Sequence, residues 1–132
     1  MSRYPENSII VEDISTDTLR IMVTKNGDSL INKMKLLGFF LITDEIREYY
    51  KDNDRYYIDP FANFMKLSVD TEEEKIKIIK SLIKEEALFS CGRSWSPEEV
   101  MDYYKNDKKL ISEKYKTIHW YGSEKYYIRE IE

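Results

Sequence analysis

The chain of 132 residues has few of the residues that anchor common catalytic and structural sites. It contains one cysteine, one histidine, three prolines and four glycines. A single cysteine excludes an internal disulfide and favours a reducing compartment. The longest apolar run, residues 36–42, is too short to span a bilayer, and residues 1–7 are too polar for a signal peptide. We therefore expect a protein of the cytoplasm, either of the producing cell or of a host.

Alanine is also scarce, with two residues, whereas tyrosine occurs eleven times. This bias, together with abundant lysine, isoleucine and asparagine, is typical of a low-GC genome such as that of a bacterium, a phage or a large DNA virus. Charged residues make up 35% of the chain and the net charge is −4, which gives no positive argument for a nucleic-acid partner. The length fits one domain, residues 1–132.

No stretch matches a catalytic or metal-binding motif. His119 has no nucleophile in a recognisable context, and Cys91 is expected at a helix C-terminus, where the dipole does not activate a thiol. Residues 92–96 lack the second glycine of a nucleophile elbow. Residues 52–57 begin like a calcium loop, but tyrosines replace a ligand and the glycine. The sequence predicts no catalytic residue, no cofactor and no metal site.

The clearest structural signals are the starts of two helices. Thr71 with Glu74 forms a capping box before a broad apolar face, and Gly92 stands where a left-handed C-cap would end the helix. Ser96 and Glu99 form a second capping box with a proline between them. These signals predict helices over about 70–91 and 97–118, the second with a pause at residues 106–107.

The remaining segments are shorter. Strands are predicted at 8–12, 39–43 (buried), 63–69 and 123–132, and a helix at 28–37 that ends at Gly38. Residues 16–26 alternate like a strand, yet capping residues and Gly27 favour a helix. Residues 44–53 fit a helix, or a hairpin with 55–59 as the return strand. We expect an α+β domain in which a small, mostly antiparallel sheet packs against a helical pair, 70–91 and 97–118.

A weak internal echo joins two parts of the chain. Asp-Glu-Ile-Arg-Glu-Tyr-Tyr-Lys follows Gly38, and Glu-Glu-Val-Met-Asp-Tyr-Tyr-Lys follows Gly92 at the same offset. A decayed duplication, about 28–59 and 82–129, would explain the echo, but chance in a tyrosine- and lysine-rich chain is the favoured explanation. The echo favours a helix for the segment after Asp44.

Tyrosine pairs are the remaining functional signal. Adjacent tyrosines on a strand point to opposite faces, so several phenol rings should be partly exposed beside carboxylates. Tyrosine provides binding area at low entropic cost. The residues we expect to contact a partner are Tyr49, Tyr50, Tyr56, Arg93, Trp95, Tyr103 and Tyr126.

The absence of catalytic motifs and the acidic, tyrosine-rich surface together predict a non-enzymatic protein-binding module. Inhibitors, antagonists and immunity proteins are of this kind, and the partner could carry a basic groove. One alternative is a winged-helix-like nucleic-acid binder formed by residues 16–59, with Arg20, Lys25, Lys33 and Lys35 facing phosphates. A second alternative is a small enzyme that works with carboxylates alone.

Overall fold

A computed structural model describes residues 5–14, 17–52, 59–90, 96–119 and 125–131. The described chain forms seven strands, four α-helices and one π-helical turn. In chain order these are β1 Ile9–Ile14, β2 Thr18–Val23, α1 Asp28–Leu37, β3 Phe40–Leu41, α2 Thr43–Tyr50, β4 Asn63–Ser68, α3 Glu72–Lys84, β5 Leu88–Ser90, α4 Pro97–Asp102, the π-turn Tyr103–Asp107, β6 Tyr115–His119 and β7 Lys125–Glu130.

The seven strands form one mixed sheet in the order β3-β4-β2-β1-β5-β7-β6. Five of its six strand pairs are antiparallel, and β1 with β5 is parallel. The expectation of a mixed α and β domain is confirmed. The more specific expectation, a small, mostly antiparallel sheet packed on one helical pair, fits the structure only roughly. The observed sheet is larger, and helices lie on both of its faces.

Alternation along the strands builds a different core on each face. The first face carries Ile9, Val11, Ile21 and Phe89, which pack with buried side chains of α1, α3 and α4. The second face is covered by α2 and carries a smaller cluster: Ile10, Met22, Phe64 and Leu88, with Ala62 and Ile42. Side chains of successive residues point to opposite faces, so the apolar run of β1 supplies both cores.

The described part of segment 16–26, residues 17–26, contains a strand and a turn, so the helix favoured there is wrong. β2 pairs with β1 on one side and with β4 on the other. Leu19, Ile21 and Val23 face the first core and are fully buried, which a helix on the surface would not achieve. The helix pair that motivated a winged-helix interpretation is therefore not formed.

The central helix begins where the sequence predicts but ends seven residues early. Thr71 Oγ1 accepts a hydrogen bond from the Glu74 N–H at 3.1 Å, while Glu74 Oε2 reaches the N–H of Asp70. The helix stops at Lys84 because Glu86 adopts a left-handed conformation, with φ of 59°. Its N–H then donates to the Ile83 carbonyl, and the chain turns into β5. Ala87 and Phe89, which fall within the predicted helix 70–91, are instead buried in the first core, just before β5 and on it.

The second predicted helix is also shorter. The capping box of Ser96 and Glu99 is present in both directions, with Pro97 in the first turn. However, α4 passes into the π-turn at Tyr103, and the segment holding Tyr115 and Ile118 is the strand β6. The predicted helix 97–118 is therefore wrong beyond residue 107.

The other local predictions fare better. The helix at 28–37 is confirmed, and Gly38 ends it with φ of 110°. The strands expected at 8–12, 63–69 and 123–132 correspond to β1, β4 and β7. β3 exists, but both of its side chains are exposed, so a buried strand there is wrong. Of residues 44–53, those up to Tyr50 are helical in α2, and the return strand of the alternative hairpin lies mostly outside the described residues. The duplication remains a prediction.

Candidate binding surface

Helix α2 presents one acidic side to solvent and one apolar side to the sheet. Its inward side chains recur at helical spacing: Thr43, Ile46, Arg47 and Tyr50 are half-buried. The outward ones are Asp44, Glu45, Glu48 and Tyr49, with Asp52 one turn beyond. We call these five exposed residues the α2 surface. Its cations are few: Lys51 lies 2.6 Å from Glu48, and Arg47 points inward.

Arg47 holds α2 against the sheet. One of its guanidinium nitrogens, Nη2, donates hydrogen bonds to the carbonyls of Pro60 and Ala62 at 3.0 and 2.9 Å. At the start of the helix, Thr43 Oγ1 accepts a hydrogen bond from the Phe64 N–H at 2.9 Å. Both contacts join α2 to β4 or to the turn before it. The helix is therefore a fixed platform for the side chains it exposes.

Tyr49 is the most exposed of the described tyrosines that the sequence assigns to a partner, with 78% of its surface accessible. Its ring meets Tyr50 edge-on, with the centroids 4.8 Å apart. Tyr50 is half-buried and makes further contacts. The pair thus combines an anchored ring with a neighbouring ring that is open to solvent, surrounded by carboxylates.

The structure separates the tyrosines that the sequence grouped together. Tyr103 is half-buried in the π-turn, edge-on to Tyr104, with Lys108 Nζ 5.7 Å from its ring centre. Tyr126 is half-buried on β7, where it pairs with Phe89 and lies 5.0 Å from the His119 ring. Both belong to the first face, whereas α2 covers the second. Tyr56, Arg93 and Trp95 lie outside the described residues.

A groove adjoins the α2 surface at the edge of the sheet. It has a volume of about 260 Å³ and is lined by Leu41, Ile42, Thr43, Asp44, Glu45 and Asn63. We call it the β3–α2 groove. None of these residues is among those that the sequence assigns to partner contact, although the spacing of Asp44, Glu45, Glu48 and Asp52 on one helix side is a signal of an acidic stripe.

A larger cleft of about 510 Å³ lies between α3 and the β6–β7 end of the sheet. Its charged lining is mixed: Lys80, Lys84 and Arg129 face Glu86 and Glu130. Arg129 lies 3.8 Å from Glu86, so part of its charge is already balanced. Because charges of both signs line it, this cleft does not favour a ligand of one charge.

Two polar clusters are half-buried or buried within the fold. Glu12 sits at a bulge in β1, 3.5 Å from Arg20, and burial raises the pKa of its carboxyl despite that cation. On the first face, burial lowers the pKa of Lys75, whose ammonium lies over the Tyr104 ring. Burial and the nearby Glu72 charge raise the pKa of Tyr104. Each group faces a partner within the protein, so we interpret both clusters as structural.

Comparison with protein-family models, with curated proteins and with solved structures finds no match for this chain. Among the described residues, no helix has the length and apolar character needed to cross a membrane. The same part of the chain holds no group of three metal-ligating side chains. The inference of function therefore depends on the surface geometry alone.

Proposed function

We propose that this protein is a non-enzymatic protein-binding module that docks on another protein through the α2 surface, as inhibitors, antagonists and immunity proteins do. The observation that carries the proposal is Tyr49, which is 78% exposed on an anchored helix among four carboxylates. A large aromatic side chain left in water on a rigid element is typical of a binding hot spot.

The energetics favour this arrangement. A tyrosine ring that becomes covered at an interface removes a large apolar area from water. The cost of ordering it is small, because tyrosine has two side-chain torsions and Tyr50 already restricts the ring. The neighbouring carboxylates accelerate encounter with a partner of opposite charge and disfavour acidic proteins. We therefore expect a partner with a basic contact surface.

The proposal uses part of the residue set that the sequence suggested. Tyr49 and Tyr50 lie on the α2 surface or at its margin, whereas Tyr103 and Tyr126 lie on the opposite face of the sheet. One partner of ordinary size covers about 800 Å² of each protein, so we do not place both groups in a single contact. No described feature favours the nucleic-acid or enzyme alternatives over protein binding.

Affinity capture with matched variants tests the proposal. Wild type, Tyr49→Ala and Ile131→Ala would be immobilised and exposed to extracts of the producing cell and of its host. Ile131 is an exposed apolar residue whose backbone pairs beside β6, at the far edge of the sheet. The dissociation constant of each captured protein would then be measured for all three forms.

We expect Tyr49→Ala to weaken binding at least about tenfold, or about 1.4 kcal/mol, and Ile131→Ala to leave the affinity unchanged. The proposal fails if a specifically captured protein binds wild type and Tyr49→Ala equally well. It fails as well if nucleic acid is the sole species recovered.

A further inference from the structure

The edge strand β3 offers hydrogen-bonding groups to a further strand. In the described sheet it pairs with β4 on one side. The Ile42 N–H donates to the Phe64 carbonyl at 2.8 Å, as in a hydrogen-bonded pair of the antiparallel ladder, while the Phe64 N–H donates to Thr43 Oγ1 in place of the Ile42 carbonyl. Such pairs alternate with pairs whose backbone groups point away, so the N–H and C=O of Leu41 face the side of β3 that no described strand pairs with.

The side chains at this edge are apolar and exposed. Phe40 is 51% accessible on the second face, and Leu41 is 43% accessible on the first. Natural sheets usually protect such an edge with lysine, proline or a covering loop. The two-residue length of β3 limits the backbone bonds that it offers, but neither residue is charged or a proline, so the edge can receive a short strand.

The acidic lining of the β3–α2 groove favours a positively charged segment of a partner. Asp44 and Glu45 line it, and none of the described lining residues is a cation. Neither carboxylate takes part in an ion pair within the described chain. A partner with lysine or arginine at this position would gain charge-assisted contacts on approach.

A second copy of this chain is a poor occupant. In an antiparallel pairing of two β3 edges about Leu41, Asp44 of one copy would lie opposite Gly38 of the other, and Glu45 opposite Leu37. A second copy therefore places no basic side chain against these carboxylates, which would lose hydration without gaining an ion pair. The occupant should therefore be another protein.

We infer that an extended, basic segment of the partner protein adds to the sheet beside β3. Its backbone would bond to Leu41, one side chain would cover Phe40 or Leu41, and a lysine or arginine would lie in the β3–α2 groove against Asp44 and Glu45. This mode of recognition is β-strand addition. The inference rests on the proposed function, since it places a segment of the same partner next to Tyr49.

Random short peptides displayed on phage test the inference without the partner in hand. They would be selected on full-length wild type alone, and the recovered peptides would then be compared on the double variant Asp44→Lys with Glu45→Lys. The charge-matched control is Asp70→Lys with Glu73→Lys, two exposed acids at the start of α3. The milder pair Asp44→Asn with Glu45→Gln guards against loss of folding. A chosen peptide would be synthesised and titrated, with amide chemical shifts recorded.

We expect the selected peptides to alternate basic with β-branched or aromatic residues and to shift the amides of Leu41 and its neighbours. Affinity should fall at least tenfold in the Asp44/Glu45 variants and in a peptide N-methylated at alternate residues. The Asp70/Glu73 control should bind like wild type. Peptides without basic excess, equal binding by the Asp44/Glu45 variants, or shifts away from β3 would each overturn the inference.

These outcomes are separable from failure of the proposed function. Peptides that depend on Tyr49 but not on Asp44 or Glu45 would overturn strand addition and leave the α2 surface as the binding site. A full-length partner that ignores Tyr49→Ala would instead contradict the proposed function itself.

Discussion

The ammonium group of Lys75 lies 5.7 Å from the centre of the Tyr104 ring and joins the first turn of α3 to the π-turn. Lys75 is 5% accessible, although lysine is almost never fully buried. The carboxylates of Glu72 and Asp17 favour its charge, but burial outweighs them and lowers the pKa of Lys75. The charge therefore costs stability at neutral pH, while the ring contact offsets part of that cost.

Lys75→Met should stabilise the protein at pH 7 by on the order of 1 kcal/mol, because the apolar stem is kept and the buried charge is removed. The folded pKa lies below the unfolded one, so wild-type stability linked to Lys75 rises as the pH increases toward 10.5. The advantage of the variant should shrink accordingly in urea unfolding at pH 10. Lys77→Met, an exposed control on the same helix, should change the free energy of unfolding by less than about 0.5 kcal/mol. A less stable Lys75→Met at pH 7 would refute this interpretation.

Glu12 makes the opposite contribution at acidic pH. Its folded pKa is raised, first by burial, with Arg20 opposing and Asp13 adding to the shift. The stability linked to Glu12 is thus fully present below its unfolded pKa near 4.5 and is lost as the pH rises through the folded pKa. Relative to wild type, Glu12→Gln should gain stability between pH 4 and pH 7.

Arg20 provides the matched test of this linkage. Arg20→Gln removes the cation that lowers the Glu12 pKa, so the loss of stability with increasing pH should become steeper than in wild type. Both variants can be followed by urea unfolding across the same pH series. If the difference between Glu12→Gln and wild type stays constant over that range, the Glu12 carboxyl does not have a raised pKa.

Arg47→Met should loosen α2 selectively. The two bonds from Nη2 to the carbonyls of Pro60 and Ala62 are charge-assisted, and one of them is exposed, so we expect a loss of about 1–2 kcal/mol. Hydrogen exchange should accelerate in α2 more than in α3. Lys51→Met, which removes an exposed ion pair with Glu48, should cost less than about 0.5 kcal/mol. Equal acceleration in α2 and α3 would show that Arg47 does not anchor the helix locally.

Glu86→Gly should stabilise the protein. Glu86 has a φ of 59° at the end of α3, a conformation in which glycine avoids the steric cost that other residues meet. Its ion pair with Arg129 is long and exposed, so little is lost. We expect a gain of about 0.5 kcal/mol in thermal or urea unfolding. Lys84→Gly, within the last helical turn, should instead destabilise by about 1 kcal/mol. A destabilised Glu86→Gly would contradict this account of the helix end.

The sequence places the end of α3 too late because no glycine, the usual C-terminal residue of a helix end, directly follows Lys84. Gly92 is the nearest glycine, and a helix continued to it satisfies the apolar spacing of Ala87 and Phe89. In the fold Ala87 is buried just before β5, and Leu88 and Phe89 of β5 pair in parallel with β1, a contact between residues almost eighty positions apart. Nothing within the segment reports that pairing. Glu86 adopts an uncommon left-handed conformation, and the cost of that conformation is offset by the burial of two side chains in the sheet.

The ambiguous segment 16–26 illustrates the same limit. Leu19, Ile21 and Val23 alternate as in a strand. Ser15 and Thr16, which precede them, and Gly27, which follows them, are instead typical of the start and the end of a helix. The segment forms the strand β2 because β1 on one side and β4 on the other satisfy its backbone hydrogen bonds. Local propensity is a weak prior that such tertiary contacts override.

By itself the sequence determined where two helices begin, because Thr71 caps α3 and Ser96 caps α4. It also determined that Gly38 ends α1 and that the acids after Gly38 form one side of a helix. These features depend on atoms a few residues apart. Only the tertiary structure decided that short apolar runs become strands of a seven-stranded sheet, and that Tyr49 lies on the opposite face from Tyr103 and Tyr126. The physical reason is that pairing and burial join residues distant in the chain, and local patterns carry no record of their partners.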